Sequence, residues 1–336
     1  YLKKKKIMEV MKMSELIKNR SEIVFLYDIK DANPNGDPLD ENKPRIDEET
    51  EINIVTDVRL KRTIRDHLMN FKGEEIFVRE ISNEDGTIQD AKQRAENFLD
   101  KTDIKEKDFN EQKEEIKKAI LEKCIDVRLF GATIPIDISV KEGNKVKNVT
   151  GSITLTGPVQ FRMGRSLHKV ELKHIKGTGA FASGKDKRQK TFREEDILPY
   201  SLISFYGIIN ENAAQYTKLT EDDISLLLEG MWNGTKNLIS RSKVGQMPRL
   251  LLKVNYKEQN YHIGDLDKLI TIKDIEQMNQ EKIRDIFEFE LDASKLVEIL
   301  NNYKEKIDSI NLKLDNRIRI NLEELDKDIK ISNIVF

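Results

Sequence analysis

The stretch EIVFLYDI, residues 22–29, places Ile23, Phe25 and Tyr27 on one side of a two-residue alternation and Val24 and Leu26 on the other. A strand apolar on both faces belongs inside a sheet, covered on both sides. From Thr56, a residue suited to N-capping, Leu60, Ile64 and Leu68 recur every fourth residue, which predicts an amphipathic helix over 56–70. Residues 71–125 are highly charged and partly helical, and read as an insertion over the core. GSITLTGPVQF, 151–161, alternates Ile153 and Leu155 with Thr154 and Thr156, a strand broken at Gly157-Pro158. ILPYSLISFYGIIN, 197–210, predicts a further strand. Thr220 and Asp223 stand in capping-box spacing ahead of Ile224, Leu227, Leu228 and Met231, a second helix reaching about residue 239. RLLLKVNY, 249–256, is the last strand of the series.

Stripped of insertions, the order is strand, helix, strand, strand, helix, strand. That is the split βαβ, ferredoxin-like arrangement shared with RRM domains, an α+β class. The expected palm covers 21–70 and 126–257, with residues 1–20 before it, the insertion 71–125 over it and residues 258–336 as an extension packing on the palm or on a neighbour. Between two of the strands, residues 162–193 have β-compatible flanks and Gly177, Gly179 and Gly184 near the middle. A hairpin projecting over 166–196 is the economical reading.

Charge changes the picture where the average does not. The chain of 336 residues has a formal net charge of -2, yet residues 162–193 hold ten Lys or Arg against Glu171 and Asp186, a local balance of +8. From Glu258 onward 18 acids stand against 12 bases, a balance of -6. One polyanion-binding face and one solvated or partner-facing region produce such an asymmetry. The first predicted helix adds Arg59, Arg62 and Arg65 at three-residue spacing, with Lys61 beside them.

Other chemistry is sparse. DANPNGDPLDEN, 31–42, sets Asp31, Asn33, Asn35 and Asp37 around Gly36 in the manner of a calcium loop, but its twelfth position is Asn42 where an EF-hand needs glutamate, and a strand precedes it instead of a helix. The lone Cys124 excludes an internal disulfide framework, and the four histidines have no zinc-ligand spacing with it. No metal or cofactor is expected. No apolar run approaches a membrane span and no signal-peptide pattern is present, so a cytoplasmic location without membrane partners is expected. The codons of Met-Glu-Val are compatible with a ribosome-binding sequence just before Met13, which would make residues 1–12 functionally irrelevant.

Five ordered blocks, NPNGDP, VTDVRLKRTIRD, DVRLFGATIP, GPVQFRMGRSLH and WNGTKNLISRSKVGQMPRL, closely resemble the type I-B form of the CRISPR-associated Cas-seven family, from about Ser21 to Tyr256. The resemblance implies an RRM-like palm, helical fingers and a protruding thumb hairpin. It implies a crRNA-binding backbone subunit of the Cascade surveillance complex (RAMP superfamily), whose copies polymerise along one crRNA and present it to target DNA in antiviral defence. Implied partners are crRNA, further copies of the chain, target DNA through the guide, and the large, small, Cas-five-family and crRNA-processing subunits. The RNA-contacting residues it implies, together with those the charge pattern selects, are Asn33, Asn35, Arg59, Lys61, Arg62, Arg65, Arg162, Arg165, His168, Lys185, Lys187, Arg188, Lys190, Arg241, Ser242, Lys243 and Gln246. Phe181, at the hairpin tip, is the candidate wedge between bases. A subunit that carries any guide must hold backbone and leave sequence to base pairing.

The competing reading is a metal-dependent endoribonuclease, as in type III backbone subunits, with Asp31 or Asp37 near the scissile phosphate. Such hydrolysis needs converging carboxylates. The flanking Pro34 and Pro38 and the lack of a second acidic cluster disfavour it, so no catalytic residue is expected.

Overall fold

In a computed structural model, the protein is described over residues 15–98, 108–142, 145–178 and 192–336. Along the chain run β1 (Ser21–Ala32), β2 (Gly36–Asp37), β3 (Lys43–Pro44), β4 (Ile46–Asp47), β5 (Ile52–Val55) and α1 (Asp57–His67), the last continued by a π-turn over Leu68–Lys72. There follow α2 (Ala91–Glu96), α3 (Phe109–Lys123), α4 (Ile125–Phe130), β6 (Gly131–Glu142) and β7 (Lys145–Thr156). Next come β8 (Val159–Phe161), β9 (Gly164–Lys169), β10 (Lys173–Thr178), β11 (Phe192–Ile209), α5 (Glu211–Thr217), α6 (Glu221–Lys236) and β12 (Met247–Tyr256). The chain finishes with β13 (Thr271–Ile272), β14 (Leu291–Asp292), α7 (Ser294–Asn302), β15 (Ile307–Leu314) and β16 (Ile331–Asn333).

The chain divides into two compact units. One comprises Ser21–Ile64, Phe161–Ile208 and Met231–Phe336. Its sheet has the order β16-β15-β12-β1-β11-β9-β5-β4, with β10 also paired to β11. Strand β1 runs antiparallel to β12, Ser21 opposite Asn255 and Asp28 opposite Met247. Both its faces are buried, as its sequence demands. Val24 and Leu26 join Leu250, Leu252 and Val254 in a core that also takes in Ile270, Ile283, Leu296 and Leu300 from the C-terminal region. On the other face Tyr27 stacks on Phe205 at 6.2 Å.

The C-terminal region is therefore part of this unit's core. Strand β15 pairs with β12 from Leu250 opposite Leu314 to Tyr256 opposite Ile307. A buried carboxylate ties it to the first strand: Glu22 accepts hydrogen bonds from the hydroxyls of Tyr206 and Tyr256, and from the backbone N–H groups of Ile263 and Gly264, each at 2.9 Å. Gly264 has a φ of 89°, a turn that favours glycine and brings two successive amides to one acid.

The other unit comprises Tyr1–Arg20, Arg65–Gln160 and Ile209–Gly230. Strands β6 and β7 form a two-stranded ribbon, Gly131 opposite Thr156 through Glu142 opposite Lys145. Its inward Ile134, Ile136, Ile138, Ile153 and Leu155 pack with Ile116, Ile120 and Leu121 of α3. This corrects two sequence expectations. The insertion does not stop at residue 125, because residues 126–160 supply nearly half of its core; and GSITLTGPVQF is divided, residues 151–156 ending β7 of the ribbon and residues 159–161 forming β8, a short strand paired to β11 off the main strand order of the large sheet. The second place in the expected strand series belongs to β9, Gly164–Lys169, which overlaps the start of the segment 166–196 assigned to the hairpin. The chain leaves the ribbon where the sequence showed a break: a Cβ on Gly157 would lie 2.1 Å from the Phe130 carbonyl, so only glycine fits there.

Candidate nucleic-acid interface

The loop after β1 is held against the start of α1. Asn35 Oδ1 accepts from both the backbone N–H and the hydroxyl of Thr56, each at 2.8 Å, and Thr56 Oγ1 in turn accepts from Arg59 N–H at 3.2 Å. Thr56 is thus the N-cap that the periodicity predicted. Gly36 is required where it stands, since a Cβ would meet Asn42 Oδ1 at 2.1 Å. Asp37 accepts from the Arg45 guanidinium at 2.7 Å and from Leu39 N–H at 3.0 Å, which stiffens the turn.

The loop after α6 closes on the same place. Asn33 N–H donates to Ser242 O at 2.8 Å, and Lys243 Nζ donates to Asn33 O at 3.0 Å. Lys243 is half-buried, and burial first, then the Arg59 charge, hold its ammonium below the ordinary lysine range. The Arg59 charge also reaches the Tyr27 phenol, whose pKa burial drives upward. Asn33, Asn35, Arg59, Ser242 and Lys243, distant in sequence, are therefore brought to one place. Lys61 lies on the same helix in an ion pair with Asp57 at 2.9 Å, and Arg62 is exposed on it.

The basic segment after β8 is arranged differently, its cations lying against carboxylates. Arg162 sits 4.0 Å over the Tyr206 ring and pairs with Asp265 at 2.8 Å and Asp267 at 3.3 Å. Arg165 pairs with Asp47 at 3.2 Å, Lys169 with Glu51 at 2.8 Å, and Arg241 with Glu195 at 3.1 Å. Strands β10 and β11 then form an antiparallel hairpin stem, Lys173 opposite Ile197 to Thr178 opposite Phe192. Phe181, Lys185, Lys187, Arg188 and Lys190 lie outside the described residues.

Three candidates belong to the interior. His168 is 1 % exposed, stacked on Tyr200 at 5.7 Å, and its Nε2 accepts from Leu202 N–H at 3.3 Å. Burial holds its imidazole below the usual range, so it is a neutral core histidine and presents no edge to a ligand. Arg65 donates to the buried Asp126 carboxylate at 2.9 Å and lies 5.1 Å from the Phe130 ring centre. Gln246 is 3 % exposed. Arg65 was selected by its three-residue spacing with Arg59 and Arg62, and His168 and Gln246 by the family resemblance, but sequence alone does not show which way a side chain turns. Arg45 and Lys169, which the sequence reading did not select, lie beside the loop and the stem, each in an ion pair with an acid of the chain.

Asp31 is exposed with a φ of 48°, and Asp37 is engaged by Arg45. Among the described residues, no group of three or more His, Cys, Asp or Glu side chains is placed to hold a metal ion. His174 pairs instead with Asp196 at 3.1 Å. No helix among them is long and apolar enough to cross a membrane.

An α+β protein with a broad sheet, an antiparallel hairpin stem and a loop cluster of amides and cations is the class that the fold and site define. Comparison makes it particular. The family model for "CRISPR-associated protein Cas7" matches residues 19–294. The CRISPR-associated protein Cas7 of Haloferax volcanii is 34% identical over 316 residues, 90% of this chain and 89% of the relative. The chain belongs to the Cas7 family. Among solved structures, a chain of a CRISPR RNA-guided surveillance complex in a pre-nicking state superposes with a TM-score of 0.53 at 13% identity, covering 94% of this chain and 96% of that one. A second surveillance-complex chain gives 0.51 at 13% identity, covering 94% of each. At that identity the likeness is one of fold.

Proposed function

We propose that this protein is a backbone subunit of a type I-B Cascade complex: copies polymerise along a crRNA, hold its sugar–phosphate backbone without reading bases, and present it for pairing with target DNA. Family membership supports the assembly, and the surveillance-complex chains of like fold support the RNA-guided setting. The sheet order β12-β1-β11-β9, with α1 following β1 and α6 preceding β12, favours an RRM-like palm. The β10–β11 stem favours a thumb whose tip carries Phe181 and the Lys185, Lys187, Arg188 and Lys190 cluster.

The observation that carries the reading is Lys243. A half-buried ammonium next to a second cation is unfavourable in the free protein, and an anionic phosphate between Arg59 and Lys243 relieves both the burial and the repulsion. Asn33 and Asn35 already use part of their hydrogen-bonding capacity to shape the loop, so the loop offers mainly backbone and cation contacts, which position nucleic acid without specifying sequence.

The test is sequencing of RNA that copurifies, together with binding at several salt concentrations. Repeat-derived RNA, indifference to the sequence of unrelated RNAs, and a log-log salt slope of about -0.7 per phosphate contact are expected. Replacing Lys185, Lys187, Arg188 and Lys190 together by Gln reduces that slope and shortens the multimers. A flat salt response sinks the proposal. Magnesium-dependent cleavage at regular intervals, abolished by Asp31→Ala or Asp37→Ala, replaces it with the endoribonuclease reading.

A further inference from the structure

The acidic C-terminal region has no role in the reading above, and the basic segment has one acid among its described residues, Glu171, in 162–178. The two facts meet. Glu171 Oε2 pairs with Lys282 at 3.3 Å and with Arg284 at 2.9 Å, both from the C-terminal region, and these cations hold its carboxyl below the usual range. A second polar pin lies two residues earlier, where Lys169 N–H donates to Gln280 Oε1 at 3.1 Å. A third lies at the start of the segment, where charge runs the other way and Arg162 pairs with Asp265 and Asp267.

The interior supports the same junction. His168 stacks on Tyr200, and Tyr200 meets Phe289 of the C-terminal region edge-on at 6.3 Å. Leu167 packs against a core that includes Ile270, Ile272 and Ile283. Strand β10 starts two residues after Glu171, so these contacts end where the hairpin stem leaves the sheet. Arg284 is itself anchored, donating through Nη1 to Ile283 O and through Nη2 to Glu171 Oε2, each at 2.9 Å.

We infer that residues 264–284 are a buttress that sets the direction of the β10–β11 hairpin, with Glu171, Lys282 and Arg284 as positioning residues at its root. The significance for RNA rests on the proposed function; the mechanical part does not. Reversed charges at the two ends make the arrangement directional: Arg162 reaches acids and Glu171 reaches cations, so a shift of the strap along the segment would bring like charges together.

The experiment separates the two parts. A spin label on Lys176→Cys, in the exposed stem, reports hairpin mobility in the full chain without RNA; Cys124 is buried, leaving the introduced thiol to react. Glu171→Lys is expected to abolish the immobile component of the label's spectrum. Adding Lys282→Glu and Arg284→Glu to it restores that component, as a direct pairing requires. In the RNA complex, Glu171→Lys blurs the periodic chemical-probing pattern without weakening affinity, because it adds a cation, and the reversed triple variant restores the pattern. An equally immobile label in Glu171→Lys, or no recovery in the triple variant, overturns the buttress. A mobile label with an unchanged RNA pattern overturns its positioning role. Should the parent protein bind no RNA, the proposed function fails while the label still decides the buttress.

Discussion

Two sets of cations in the sheet-bearing unit behave in opposite ways. At the loop after β1, Lys243 is half-buried and feels the Arg59 charge, so its own charge is held at a cost. At the base of the hairpin, Arg162, Arg165 and Lys169 lie against carboxylates of their own chain at 2.8 to 3.3 Å. Charge counting favours the second set, since it falls in the segment with a balance of +8. Electrostatic readiness for an anion favours the first. A basic stretch marks where cations are, and folding decides which of them are already neutralised.

The largest test of this contrast is Lys243→Met. One charge-assisted contact is worth about 1.5–3 kcal/mol, so RNA affinity should fall more than about tenfold and the salt slope should weaken by about 0.7. The free protein should become more stable, because a disfavoured charge is gone. The sign with pH follows: the Lys243 pKa is lower folded than its usual 10.5, so the unfolded chain holds the proton more firmly, and stability should rise as pH climbs from the folded value toward 10.5. Thermal melts of parent and variant across alkaline pH check this.

Arg162→Gln should do less. Its pairs with Asp265 and Asp267 are partly exposed and worth about 1 kcal/mol at most to stability, and RNA must displace those acids to use the arginine. An affinity loss as large as that of Lys243→Met would break the comparison. The smallest effect concerns His168. Its folded pKa lies below the usual 6.5, so its contribution is intact above that pH and is lost as pH falls from 6.5 toward the folded value. The acid side of a stability–pH curve should therefore flatten slightly in His168→Gln.

Much of the fold was legible because its central elements are strongly patterned. The 22–29 alternation became β1, the fourfold repeat from Thr56 became α1, and RLLLKVNY became β12. Strand β9 was hidden because its buried positions are Gly164, Ser166 and His168, which carry no apolar alternation. Gly164 is small because Phe205 lies over it: a Cβ there would fall 2.4 Å from the ring. The ribbon's first strand, GATIPIDISVKE, was not singled out although Ile134, Ile136 and Ile138 alternate cleanly; Pro135 interrupts the run, and residues from 126 onward were assigned to the palm. At the site, proximity of Asn33, Arg59 and Lys243 followed from family likeness and charge, whereas the burial of His168 and Gln246 depends on side-chain direction, which no periodicity encodes.

The Glu22 cage has a consequence for synthesis. Its partners lie as far as 242 residues downstream, and the strands beside β1 are β11 and β12, both made much later. At about 5–20 residues per second, a ribosome takes on the order of tens of seconds to deliver Gly264 after Glu22 has emerged. During that interval a strand of wholly apolar alternation has no permanent neighbour and its acid has no donors. The first strand made is among the last to be secured, and nascent chains halted before Tyr256 should be the ones that chaperones hold longest.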